Sequence, residues 1–181
     1  MATKIPPSIR QLSPSSANTH APTLVNLINR AYGNEQELWN IPDKPRTCIP
    51  QIIPIITSSE FLVALSPTQE IVGCVQVHPL SAPKTAGLGM LAVSSSAQGQ
   101  GLGRLLVQAG EKKAKEDGFE IMQLEILRPR GWKMKAKEVL KSWYEKLGYE
   151  VVEVAEVELF YPALLPFLAC ECELVVFKKS I

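Results

Sequence analysis

Leu91-Ala92-Val93-Ser94-Ser95-Ser96-Ala97-Gln98-Gly99-Gln100-Gly101-Leu102-Gly103-Arg104 is the stretch on which the reading of this chain turns. An apolar run, Gly87 to Ser94, reads as a buried strand. It feeds a loop with glycines at 99, 101 and 103, and the loop opens directly into a helical pattern. Glycine permits dihedrals closed to other residues and removes the side chain that would block a close approach. The first N–H groups of a helix have no internal partner and carry the positive end of the helix dipole. Strand, glycine loop and helix start together make a receptor for phosphate or pyrophosphate.

The spacing separates the phosphate-binding loops. A Walker A loop needs Lys and then Ser or Thr after its last glycine. Here Arg104-Leu105 follows Gly103. A dinucleotide fingerprint counted from Gly99 needs glycine at its sixth position, which is Arg104. The pattern Q/R-x-x-G-x-G/A is matched by Gln98, Gly101 and Gly103.

Outward from the loop, the coarse pattern is a mixed α/β one. Ala21 to Tyr32 reads as a helix with Leu24, Leu27, Ile28 and Ala31 on one face, Thr19 as its cap and Gly33 as its stop. Residues 34–50 read as loop, with prolines at 42, 45 and 50, and Gln51 to Ser58 as a short helix despite Pro54. Phe61 to Leu65 and Ile71 to His78 read as a hairpin around Ser66-Pro67-Thr68-Gln69. Gly103 to Asp117 is helical, with Leu102, Leu105, Leu106 and Ala109 as its apolar stripe and Gly118 as terminator. Glu120 to Leu127 is a strand with Met122, Leu124 and Ile126 on one face and Glu125 opposite. A basic loop, Arg128 to Lys135, leads to a second helix ending at Gly148, with Leu140, Trp143, Tyr144 and Leu147 on one side. Tyr149 to Val157 and Ala169 to Phe177 read as strands and Phe160 to Leu168 as a loop. Residues 1–19, rich in Pro and Ser, read as an arm or edge strand around Ile9 to Leu12. No linker or repeat divides residues 1–181, so one domain is expected.

Bulk properties narrow the function classes. The formal net charge is +1, too small to steer nucleic acid or an anionic membrane, so neither is expected as a partner. The N-terminus has no apolar core of a secretory signal, and no run approaches the ~20 apolar residues of a bilayer span. A cytoplasmic protein is expected, nucleocytoplasmic distribution included. Cys48, Cys74, Cys170 and Cys172 form no CxxC pair and only His20 and His78 could join them, so no metal site and reduced, buried thiols are expected.

The stretch from Leu91 to Arg104 resembles the pyrophosphate-binding motif of GNAT N-acetyltransferases, in a form similar to that of glucosamine-phosphate N-acetyltransferases. A second block, Trp143-Tyr144-Glu145-Lys146-Leu147-Gly148-Tyr149, is similar to the family's YEKLGF signature. The two blocks lie in family order and cover roughly residues 87–157. The resemblance implies a mostly antiparallel sheet flanked by helices and splayed at the cofactor site. It implies acetyl-coenzyme A as cosubstrate, with Leu91, Ala92 and Val93 along the pantetheine arm. Main-chain N–H groups of the loop Gln98, Gly99, Gln100, Gly101, Leu102, Gly103 and Arg104 would hold the pyrophosphate. It implies direct attack by a primary amine without a covalent enzyme intermediate, and Tyr144 as donor of a proton to the departing thiolate. A phenol, with an ordinary pKa of about 10, is protonated for that task.

Other candidates come from the residues themselves. Glu125 is the first choice for general base and His78 the second. Many relatives carry Asn seven residues before the tyrosine; here that position is Lys137. Arg128, Arg130, Lys133, Lys135, Lys137 and Lys141 form a basic cluster between the two motifs, suited to coenzyme A phosphates or to a solvated surface. Glu35, Glu37 and Trp39 are placed to receive a cationic amine. The apolar stretch 160–168 would line the acceptor pocket or pack a partner copy in a homodimer. A non-catalytic acyl-coenzyme A-binding module and an acetyltransferase for protein N-termini or lysines are the alternatives to a small-molecule enzyme.

Overall fold

The computed structural model describes residues 7–41 and 43–181. Residues 1–6 of the expected arm, and Pro42, lie outside them. The strand β2, Phe61–Leu65, is buried at every position, and its alternation explains the layering. Leu62 and Ala64 face one apolar cluster and Phe61, Val63 and Leu65 the other. A strand buried on both faces belongs inside a sheet with helices on each side.

That sheet has seven strands. β1 is Ser8–Gln11, β3 Ile71–Pro79, β4 Thr85–Val93, β5 Ile121–Pro129, β6 Glu150–Glu156 and β7 Cys172–Ser180. Their order is β1-β2-β3-β4-β5-β7-β6. Every neighbouring pair is antiparallel except β4 and β5. On one face lie α1, Ala17–Ala31, and α2, Ile49–Thr57. They bury Leu24, Ile28, Ile52 and Ile56 against the odd positions of β2. On the other lie α3, Leu102–Glu116, and α4, Lys135–Lys146. They contribute Leu102, Leu106, Val107 and Tyr144 to the second cluster. The mixed, mostly antiparallel sheet flanked by helices is the expected fold class.

Several details depart from the sequence reading. α1 starts at Ala17, behind a 3-10 turn over Pro14–Ser16, so Thr19 lies inside the helix and does not cap it. Leu105 is exposed, because the buried face of α3 runs through Leu102, Leu106, Val107, Gly110 and Ala114. Residues 160–168 are not plain loop: a short helix α5, Val157–Phe160, is followed by a 3-10 segment, Pro162–Phe167. Pro162 fits there because its fixed φ suits a first helical position where no N–H is needed. Cys74 and Cys172 are buried, whereas Cys48 is exposed. Pro54 sits inside α2 and forgoes one helical hydrogen bond, while Ile52 and Ile56 stay fully buried.

Gly73 shows how tightly β3 and α3 meet. A Cβ there would come within 2.9 Å of the Leu106 side chain and 3.2 Å of the Ala92 carbonyl oxygen. The carbonyl belongs to a paired strand and cannot give way cheaply. Gly73→Ala is therefore expected to destabilise the protein by about 1–3 kcal/mol, the usual range for overpacking a core. Denaturant unfolding would show it; unchanged stability would mean that β3 and α3 separate without cost.

Candidate active site

The cavity begins where β4 and β5 part. Their parallel ladder runs from Thr85↔Ile121 to Gly87↔Gln123 and stops. Three residues on, Met90 adopts a left-handed φ of 47°, and the register between β3 and β4 shifts between Cys74 and Gln76. An extra residue in one strand bends it and sharpens its twist. The bulge thus carries β4 away from β5 and leaves its backbone edge beyond Gly87 without a β5 partner. Cys74 donates its thiol to the Met90 carbonyl at 3.5 Å, and burial pushes that thiol up to about 12, so it stays protonated.

The gap is a cavity of about 420 Å³ with Leu88–Leu91 on one wall and Leu124–Leu127 on the other. Of the residues expected along the pantetheine arm, Leu91 lines it, whereas Ala92 packs into the α1/α2 cluster and Val93 against the α3 side. β4 then ends in the glycine loop. Gln98 donates its side-chain amide to the Val93 carbonyl at 3.4 Å, and Gln100 donates to the Ser96 carbonyl at 2.9 Å. Gly99 and Gly101 hold φ of 71° and 78°, and a Cβ on either would meet nothing within 4 Å. Gly101 is the residue before α3, whose first recurring bond is Leu105 N–H to the Gly101 carbonyl. The N–H groups of Leu102, Gly103 and Arg104 therefore lie outside the helical ladder. An open concavity beside positive-φ glycines and free helical N–H groups fits a pyrophosphate.

The second motif packs directly on the first. A Cβ on Gly103 would touch the Trp143 ring at 3.5 Å. Tyr144 follows on the cavity side, ringed by Trp143 at 4.8 Å, Tyr149 at 5.7 Å and Phe177 at 6.2 Å between centroids. Burial, and then the neighbouring Tyr32 phenol, hold the Tyr144 hydroxyl well above the ordinary phenol range. It therefore keeps its proton at neutral pH.

Glu125 projects from β5 into the same cavity. Gln123 donates to it at 2.6 Å and the Tyr161 hydroxyl at 3.1 Å. Burial, with the Glu125 charge second, pushes the Tyr161 phenol up to about 12, so it remains a donor. His78 does not line this cavity. Its ring lies over Gly87, where a Cβ would come within 2.6 Å of it, at the paired and closed end of β4. The second-choice base therefore lies outside the cavity lining, behind Gly89.

Two further expectations are corrected. Glu35 and Trp39 line the cavity, but not as a receptor for a cation. Lys137, only 5% exposed, makes an ion pair with Glu35, and Lys44 already occupies the Trp39 face at 4.6 Å. Glu37 is exposed and outside the cavity. The basic cluster is also mostly spent on carboxylates: Arg128 on Glu173 at 2.7 Å, Arg130 on Glu156 at 2.7 Å, Lys141 on Glu145 at 2.5 Å and Lys137 on Glu35. Lys133 and Lys135 are exposed without such a partner among the described residues. The sequence reading missed Tyr32, Lys44 and Arg46, which the fold brings to the cavity from separate segments, whereas the 160–168 stretch, expected to line a pocket or pack a partner copy, supplies Tyr161, Leu164 and Phe167 to its wall.

Among the described residues, no group of three or more His, Cys, Asp or Glu side chains could hold a metal ion. No helix among them is long and apolar enough to cross a membrane.

Solved structures share the whole architecture. An aminoglycoside 6'-N-acetyltransferase complexed with coenzyme A gives a TM-score of 0.69 at 16% identity, over 96% of this chain and 96% of that one. A ribosomal-protein-alanine N-acetyltransferase from Brucella melitensis gives 0.67 at 18% identity, over 96% and 99%. Rv2747 from Mycobacterium tuberculosis, in complex with CoA, gives 0.67 at 14% identity, over 97% and 99%. At these identities the likeness concerns the fold. No curated protein sequence matches the chain significantly. A family model described as the acetyltransferase (GNAT) family matches residues 22–149, which include the splayed strands, the glycine loop and the Trp143–Tyr149 block. The chain belongs to the GNAT acetyltransferase family.

Proposed function

We propose that the protein transfers an acetyl group from acetyl-coenzyme A to the primary amine of a small molecule, within one catalytic domain spanning residues 1–181. The observation that carries this reading is the meeting of Tyr144 and Glu125 in one cavity at the parting of β4 and β5. The glycine loop adjoins it, at the end of β4.

Main-chain N–H groups from Gly99 to Arg104 would hold the pyrophosphate, and the open edge of β4 around Leu91 to Val93 would take the pantetheine amides. Acetyl-coenzyme A supplies an acetyl group activated as a thioester. Glu125, steadied by Gln123 and Tyr161, accepts a proton from the incoming ammonium and leaves a neutral nitrogen. As the carbon–nitrogen bond forms and the carbon–sulfur bond breaks, the Tyr144 hydroxyl gives its proton to the sulfur, and the second proton shed by the acylated nitrogen returns through solvent to the Tyr144 phenolate. Likeness of the glycine loop to the glucosamine-phosphate form bears on the cofactor half only; acceptor choice lies with the opposite wall.

Coenzyme A release from a panel of amines tests the reading, with Glu125→Gln beside the wild type. The variant keeps the shape and loses the base. Its rate is expected to fall about 10²-fold or more near neutral pH, the scale of general base catalysis. The deficit should shrink as pH approaches the acceptor's own pKa, where the amine arrives neutral. A constant, small deficit at every pH would remove Glu125 from this role. An absence of release with every amine, despite acetyl-coenzyme A binding, would favour the non-catalytic module.

A further inference from the structure

The acceptor wall of the cavity carries two cations without counter-charges. Lys44 Nζ lies 4.6 Å from the Trp39 ring centroid and 5.1 Å from that of Phe167. The Arg46 guanidinium lies 5.5 Å from the Tyr32 centroid. All of these side chains line the cavity. Among the described residues neither cation has a carboxylate oxygen within 4.0 Å. Both carboxylates in the wall are engaged elsewhere, Glu35 with Lys137 and Glu125 with Gln123 and Tyr161. Burial, and then the charge of Arg46, lower the Lys44 pKa. The two like charges therefore act on one another, at a cost that an anion placed between them would relieve.

The segment that carries them is built in. Asn29 donates to the Thr47 carbonyl at 3.0 Å and accepts the Thr47 N–H at 2.9 Å. Thr47 is 2% exposed and donates its hydroxyl to Gln51 at 3.2 Å. Stacking on aromatic faces holds both cations by their flanks and leaves their hydrogen-bond donors available. Residues 98–104 do not line this cavity, so the cations are separate from the pyrophosphate cradle.

With an engaged carboxylate at one point and two uncompensated cations at another, the wall complements a zwitterion. Resting on the acetyl-transfer reading above, we infer that the acceptor is a small primary amine that also bears a carboxylate or a phosphate. Its ammonium meets Glu125, and its anion lies between Lys44 and Arg46. An amine without an anionic group leaves those two charges uncompensated.

Matched acceptors test this: amino acids against their amides, and phosphoethanolamine against ethanolamine. Two readouts are taken, coenzyme A release and calorimetric titration of each compound in the presence of coenzyme A. The anion-bearing member of at least one pair is expected to be favoured about tenfold or more in kcat/KM, as charge-assisted hydrogen bonds from a half-buried Lys44 and an exposed Arg46 allow. Lys44→Ala with Arg46→Ala should erase that preference, mainly through KM, without changing the KM for acetyl-coenzyme A. Arg46→Lys alone, which keeps the charge, should retain much of it. The pair that responds tells carboxylate from phosphate. Equal use of charged and neutral members, or a preference that survives the double substitution, overturns the inference. If no amine is acetylated, the titrations decide. Zwitterion binding lost in the double variant upholds the anion site while the transfer reading fails, and no zwitterion binding at about 10 mM overturns the site itself.

Discussion

Tyr144→Phe is expected to slow the chemical step about 10²-fold or more while leaving acetyl-coenzyme A affinity and the melting temperature nearly unchanged. The ring is what the fold uses. It stacks edge-on with Trp143 and Tyr149 and tilts against Phe177, and Phe preserves all of that. Among the described residues no side chain holds the hydroxyl in a hydrogen bond, and it is not one of the buried polar atoms left without a partner. Its removal therefore costs little stability. A phenol raised so far by burial is at first sight a poor acid for a thiolate, whose ordinary pKa is about 8.5 for a cysteine. But a thiolate departing beside the same buried rings would be desolvated with the phenol, which raises its pKa as well. What matters is the difference between the two, which shared burial largely preserves. Steady-state rates would hide the effect if product release were slow, so single-turnover kinetics on an accepted amine is the measurement. Wild-type single-turnover rates through about pH 9 in the variant would leave the tyrosine as core packing only.

The contrast between the two halves of the site explains what the sequence could carry. The two motifs of the proposed cofactor side are local. Gln98, Gly101 and Gly103 are close in the chain, their helix follows at once, and the Trp143–Tyr149 block has its own period. Local spacing survives in a linear text. The proposed acceptor side is assembled from segments that meet only in three dimensions. Lys137 reaches Glu35 across 102 residues, and Asn40 reaches Pro166 across 126. The bridge Trp39↔Leu168 and the flanking bonds from Asn40 N–H to the Phe167 carbonyl and Ala169 N–H to the Leu38 carbonyl tie these loops together. Nothing in the composition of residues 34–47 says that Glu35 is paired with Lys137 or that Trp39 is covered by Lys44, so Glu35 and Trp39 read there as a receptor for a cation.

The parting of β4 and β5 was implied by the family resemblance, but the local pattern of residues does not show it, for another reason. It depends on a left-handed residue at Met90, a position without the glycine that usually announces such a backbone. The bulge is imposed by the register of β3 on β4, not by the preference of Met90 itself. Pro54 is the milder case: the run 51–58 already read as a short helix despite it, and the buried Ile52 and Ile56 hold that helix against the sheet. Where tertiary contacts outweigh local preference, reading by propensity fails. Where glycine is needed for access, as in the 99–103 loop, it succeeds.

Gly101→Val is expected to abolish stabilisation by acetyl-coenzyme A. In the wild type, ligand at about 100 times its Kd should contribute about 2.7 kcal/mol, which for a chain of this size corresponds to roughly 5–10 °C in Tm. Valine at φ 78° suffers twice. A β-branched residue in the left-handed region costs at least the 1–2 kcal/mol, roughly, of any L-residue there, which lowers Tm even without ligand. Its side chain also enters the open space beside the free N–H groups of α3, where the pyrophosphate would lie. Gly118→Val separates these effects. Gly118 has φ 88° and likewise nothing within 4 Å, but it follows the far end of α3. Both variants should lose intrinsic stability to a similar degree, and only Gly118→Val should keep the full shift with acetyl-coenzyme A. If Gly101→Val retains the shift, the pyrophosphate is held elsewhere; if both variants lose it, the loss reflects backbone strain in α3 and not occlusion of the cradle.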